Sequence, residues 1–150
     1  MPGSVRYSDR VHNVLFLSVK NTARTLMAEC LLNKGSTGLL KAYSAGTDPA
    51  GVVDPLTLTT LRNHGCPVEG LAPKNVNIFN DNDATEIDMI FTFCDRSHGQ
   101  AIALWPGHSY TALWSIPDPM IEMSSIGLKE AAFTAAYYAV KDRIGALLAL

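Results

Sequence analysis

The sequence predicts an α/β layer fold built on a mostly parallel sheet. Short, continuously apolar runs alternate with stretches of helical period, and the runs have the texture of strands covered on both faces. Gly, Pro and Asp signals punctuate the boundaries between them. The chain has 150 residues, which fits one domain able to bury roughly 70% of the surface its unfolded form exposes.

Residues 1–10 are polar and read as a flexible lead-in, leaving 11–150 as the domain. Asn13 to Ser18 is the first strand. Lys20-Asn21-Thr22 is a polar turn, and from Ala23 a helical period begins, with Leu26, Met27, Cys30 and Leu31 on one stripe and Gly35 as its C-terminal glycine. Leu39 to Ser44 reads as the second strand. Asp54-Pro55 opens a helix as cap and first residue, and Gly65 ends it. Residues 66–83 read as irregular. Ile87 to Cys94 is the third strand, followed by a long polar loop through Trp105-Pro106-Gly107. Thr111 to Ile116 is the fourth strand, stopped by Pro117-Asp118-Pro119. A long closing helix has Phe133, Tyr137, Val140, Ile144 and Leu148 on its apolar stripe.

Composition excludes several classes. With 47% hydrophobic and 17% charged residues the chain is globular rather than disordered. The net charge is 12 − 14 = −2, which disfavours a nucleic-acid partner. Three cysteines, Cys30, Cys66 and Cys94, argue against both a secreted disulfide framework and a Cys-rich zinc site. His64, His98 and His108 are irregularly spaced, so no metal or other cofactor is expected. No apolar run is long enough for a membrane span, and the first ten residues lack the apolar region of a signal peptide. The expectation is a cytoplasmic protein with no membrane partner; its oligomeric state is left open.

In a parallel sheet, ligands bind beyond the carboxyl ends of the strands. The segment leaving the first strand is Ser18-Val19-Lys20-Asn21-Thr22-Ala23-Arg24-Thr25. Its backbone N–H groups, gathered at a helix N-terminus, would form an anion site. Arg24 could grip two oxygens of a tetrahedral oxyanion, with Asn21 and Thr25 fixing the loop. By local pattern alone the segment fits equally well as a plain strand-to-helix turn with a solvated arginine.

At this point Val14 to Glu29 resembles the phosphate-binding loop of low-molecular-weight protein tyrosine phosphatases and of the related thioredoxin-coupled arsenate reductases. The resemblance extends through Tyr43 to Thr47, Pro55-Leu56, Leu61 to Gly65, Cys94-Asp95, Trp105-Pro106-Gly107, and Trp114 with Pro117-Asp118-Pro119, in the family's order and spacing. It implies a single three-layer domain, a four-stranded parallel sheet flanked by helices. It implies oxyanion binding by Val19, Lys20, Asn21, Thr22, Ala23, Arg24 and Thr25, and a general acid at Asp118. It also implies a hydrogen bond from Ser44 to Asn21. Trp114 is a supporting residue and, with Trp105, a candidate for the pocket entrance. The ligand would be phosphate, arsenate or a phosphorylated partner.

The departures bear on chemistry. The family's nucleophilic cysteine is here Ser18, and a hydroxyl needs an adjacent base that a loop-activated thiol does not. His12 precedes the strand, at the wrong end of the sheet. Lys20 replaces a residue that is usually small; it would strain the loop if that position needs a positive φ, or else point into water. The reductase branch uses two more cysteines: Cys94 matches one, but Ile102, followed by Ala103, stands at the other, so a thiol relay is excluded. Cys94 is then expected to be a buried strand residue, Cys30 a core residue, and Cys66 a loop residue without a partner. Met120 stands where the phosphatases usually place an aromatic. The reading is an oxyanion-binding, catalytically impaired member. The alternatives are an active phosphatase captured as an engineered Cys-to-Ser variant and a non-catalytic interaction protein. The additional departures at Lys20, Ile102 and Ala103 favour natural divergence.

Overall fold

A computed structural model describes residues 11–80, 85–105, 110–121 and 124–149. The lead-in 1–10 and Pro106, Gly107 and His108 lie outside the described residues. The strands are β1 (His12–Ser18), β2 (Leu40–Gly46), β3 (Met89–Thr92) and β4 (Thr111–Leu113); the helices are α1 (Arg24–Gly35), α2 (Pro55–Asn63), α3 (Asp95–Leu104) and α4 (Ile126–Leu148). The four strands form one sheet in the order β2-β1-β3-β4, and every pairing is parallel. The predicted α/β architecture is the observed one.

Strand period explains the apolar run in β1. Val14 and Phe16 face a core shared with α1, α2 and α4, while Leu15 and Leu17 face a second cluster with Val76, Phe79 and Ala101. The chain leaves β1 toward β2 on one side and later enters β3 on the other. The carboxyl end of β1 is therefore the topological switch point, where an open α/β sheet leaves a crevice.

Asp54 caps α2 as its sequence suggests, accepting a hydrogen bond from Leu56 N at 2.9 Å, and Gly65 follows in the left-handed conformation at φ 72°. Four local expectations are corrected. Gly35 is the last residue of α1, not a left-handed cap; a Cβ there would lie 2.6 Å from the end of the Leu148 side chain, so its role is close approach to α4. Residues 95–104 form α3 rather than a loop. That helix buries only Ser97 and Ala101, so it carries almost no apolar signature. The region after Gly65 contains a 3-10 turn, Val76–Phe79, whose Val76 and Phe79 reach the core. On α4, Leu147 is buried and Leu148 is 39% exposed, a one-residue shift at a helix end. Among the described residues no helix is long and apolar enough to cross a membrane, and no group of three or more His, Cys, Asp or Glu could hold a metal ion.

Candidate functional site

β1 ends at Ser18, and the chain turns through 19–23 into α1. The turn needs one left-handed residue. It is Asn21, at φ 57°, and asparagine tolerates that conformation better than most side chains. Lys20 thus carries no such strain. It reaches outward to Asp48, with Nζ 2.7 Å from Oδ2, and both side chains are well exposed. The Lys20 hydrogen bond holds the Asp48 carboxyl below its usual range.

The outer side of the loop is tied down by its carbonyls. Ser18 O accepts from Thr47 N at 3.1 Å, Val19 O from Asp48 N at 2.9 Å, and Lys20 O from Ala50 N at 3.0 Å. The buried Thr57 hydroxyl donates to Thr22 O at 2.6 Å. In a trans peptide the next N–H points away from its carbonyl. The amides of Val19, Lys20 and Ala23 are thereby turned to the inner side, while that of Asn21 is taken by Ser18 Oγ. α1 adds the positive end of its dipole, with no side-chain cap from Ala23 and no acidic residue in its first turn.

Inside lies a cavity of about 110 Å³ lined by the 18–24 loop, Cys94 and Asp118. That is a few times the roughly 30 Å³ share of one water in the liquid, the scale of a small ion. Arg24 forms part of the wall. Its Nη1 donates to Phe93 O at 3.0 Å and Ile116 O at 2.6 Å, and its Nη2 lies 3.8 Å from Asp118 Oδ2. The guanidinium sits 5.8 Å above the Phe93 ring. Burial lowers its pKa from the ordinary value, partly offset by Asp118 and Cys94. Ser18 Oγ accepts from Asn21 N at 3.0 Å and lies 3.3 Å from Thr25 Oγ1. Asp118 Oδ1 accepts from Met120 N at 3.0 Å, an Asx turn that fixes the carboxylate.

The model of the family described as low molecular weight phosphotyrosine protein phosphatase matches residues 13–150. The chain belongs to that family. Among solved structures, an arsenate reductase in the phosphate binding state is 21% identical, with 93% of this chain and 98% of that one covered and a TM-score of 0.75. Wzb of Vibrio vulnificus in complex with benzylphosphonate is 18% identical over 92% and 97%, with a TM-score of 0.74. An arsenate reductase from Archaeoglobus fulgidus is 29% identical over 88% and 98%, with a TM-score of 0.64. No curated protein sequence matches the chain.

In this member of the low-molecular-weight phosphatase family, the loop residues 18–24 and Asp118 surround one cavity, while Thr25 stands behind the loop, fully buried. Several expectations are corrected. Ser44 does not hold Asn21. Its hydroxyl donates to Glu29 Oε1 at 2.5 Å, while Asn21 Oδ1 accepts from Lys74 N at 2.8 Å and Asn21 Nδ2 donates to Thr25 Oγ1 at 2.8 Å. Trp114 is not at the entrance; it is buried among Phe16, Phe91 and Phe93. Trp105 packs, partly buried, against the second core cluster. Cys94 is not buried inside β3: it lines the cavity and caps α3, its Sγ accepting from Ser97 N at 3.5 Å. Cys30 is core, and Cys66 has neighbours after all, with Tyr137 Oη 3.8 Å from its sulfur.

Sequence reasoning missed Gly46, Thr57 and Lys74. Gly46 lies so close to the loop that a Cβ there would sit 2.5 Å from Val19 O. Thr57 carried a weak signal, its place four residues before Leu61 on the stripe that α2 buries together with Thr60. Lys74 carried none.

Proposed function

We propose that this chain binds a tetrahedral oxyanion (phosphate, arsenate or a phosphoryl group) in the 18–25 loop and turns over phosphoesters poorly because Ser18 stands at the nucleophile position. The observation that carries the reading is the outward anchoring of the loop carbonyls, which presents the intervening amides to a cavity walled by Arg24. Two of the structural relatives are described with phosphate and with benzylphosphonate, which supports an anion of this class. The free thiols of Cys30, Cys66 and Cys94 suit a cytoplasmic setting.

The chemistry follows from the groups present. Arg24 and the loop amides stabilise charge on the ligand's oxygens. The Asn21 N–H donates to the Ser18 oxygen, a contact that would favour a thiolate but leaves an alcohol protonated at neutral pH. Its other neighbour, Thr25, is no base, and His98 is engaged with Thr92 at 2.8 Å. On this reading Asp118, which lines the same cavity, is the group that protonates a leaving oxygen once a nucleophile is restored.

Calorimetric titration with phosphate and vanadate tests the binding. Saturable uptake by the native chain that disappears in Arg24→Ala is expected, and no uptake by the native chain defeats the reading. Ser18→Cys is expected to raise hydrolysis of p-nitrophenyl phosphate at least 100-fold. Native turnover equal to that of Ser18→Cys would overturn the assignment of impaired catalysis.

A further inference from the structure

We propose that Lys74 is a positioning residue of the oxyanion loop, clamping Asn21 in place from a part-buried anchor on Glu29. The inference rests on the proposed function for its significance and on separate contacts for its content.

Lys74 is bonded at three places. Its N–H donates to Asn21 Oδ1 at 2.8 Å, and its carbonyl accepts from Gly46 N at 2.7 Å. Its Nζ donates to Ala72 O at 2.7 Å and lies 3.4 Å from both Glu29 Oε1 and Ser44 Oγ. The Ser44 hydroxyl donates to the same carboxylate oxygen. A single residue thus ties together the oxyanion loop, the end of β2 and the middle of α1.

The direction of the effect follows from what each bond constrains. Asn21 is the one described non-glycine residue at positive φ, a conformation that persists when its surroundings enforce it. Its amide is held at both ends: Oδ1 by Lys74, and Nδ2 by Thr25, whose hydroxyl neighbours Ser18. The segment carrying Lys74 extends the sheet by only one bridge, Gly46 to Asn75. A lone bridge is weak, and the neighbouring Asn75 side chain is spent capping its own 3-10 turn through Asn77 N. Leu71, Val76 and Phe79 pack the flanks of the segment into the core, and within residues 72–75 the ammonium on Glu29 is the polar side-chain contact to α1. Both side chains are largely removed from solvent, at 26% and 16% exposure, so the pair is more than a surface ion pair. Removing the ammonium also leaves the Glu29 charge poorly compensated.

The test is amide hydrogen exchange by NMR on the native chain, Lys74→Met, Lys74→Arg and Glu29→Gln, with phosphate titration of each. Lys74→Met is expected to accelerate exchange at least tenfold at the bonded amides of Asn21, Gly46, Thr47, Asp48 and residue 74 itself, with α4 unchanged, and Lys74→Arg to recover most of that protection. Glu29→Gln should behave like Lys74→Met. Where the native chain takes up phosphate, its affinity is expected to fall about tenfold in Lys74→Met. Exchange at those bonded amides unchanged in Lys74→Met, or raised equally in α4, overturns the proposal. A native chain that takes up no phosphate defeats the oxyanion reading instead, and the exchange data still decide the role of Lys74.

Discussion

The cavity wall brings one cation and one carboxylate within 3.8 Å of each other. Arg24 is neutralised in part by Asp118, so an ionised Asp118 opposes any dianion that the guanidinium attracts. At an effective dielectric near 20 two charges several ångströms apart interact by a few kcal/mol. Asp118→Asn is accordingly expected to tighten binding of sulfate, a permanent dianion, by roughly tenfold or about 1.4 kcal/mol, measured by titration at constant ionic strength. Equal affinities would mean that the carboxylate does not sense the ligand. Single residues were unevenly legible at this scale. Arg24, Asn21 and Asp118 stand in local patterns that announce them, a strand end, a polar turn and a Pro-Asp-Pro stop. The partner of Asn21 could not be read, because Lys74 reaches it with a backbone N–H, and backbone groups leave no mark in a sequence.

Among the elements, the end of β2 acts as an outer brace for the loop between β1 and α1. Gly46 permits it, since a methyl there would meet main-chain atoms rather than a movable side chain. Gly46→Ala is expected to cost about 1–3 kcal/mol in urea unfolding and to weaken phosphate binding at least tenfold, because the loop must shift to make room. Full retention of affinity would show that the brace is dispensable. The elements with strong period, β1 and α4, were readable from their apolar residues. α3 was not, because a helix that buries only Ser97 and Ala101 looks like a polar loop. β3 and β4 were over-extended for a related reason. Phe93 and Ile116 are apolar because they are buried next to Arg24, and their carbonyls hold its guanidinium instead of continuing the ladder.

For the molecule as a whole, the core between α1, α2 and α4 contains ionisable groups held in their neutral forms. Burial pushes the Cys30 thiol from 9.0 up to about 12, and burial together with Cys66 pushes Tyr137 from 10.0 up to about 12. The unfolded chain gives up these protons first. Between about pH 9 and 12 it therefore binds fewer protons than the native state, and stability falls as pH rises. The contribution is complete below pH 9 and gone above 12. Urea midpoints at pH 8 and 10.5 should differ, and the difference should shrink in Cys30→Ala. An unchanged alkaline slope in that variant would assign the loss to other groups.

The Asx turn that pins Asp118 has one more consequence. Backbone amides and a guanidinium touch only a guest's oxygens, so they are blind to whether phosphorus, arsenic or sulfur sits at the centre. A fixed carboxylate beside them is not blind to hydrogen. Monohydrogen phosphate and arsenate carry a proton that such a carboxylate can accept as a hydrogen bond, whereas sulfate has none to offer. Under the proposed oxyanion reading, the carboxylate that repels charge also sorts these ions by protonation, favouring phosphate and arsenate over sulfate.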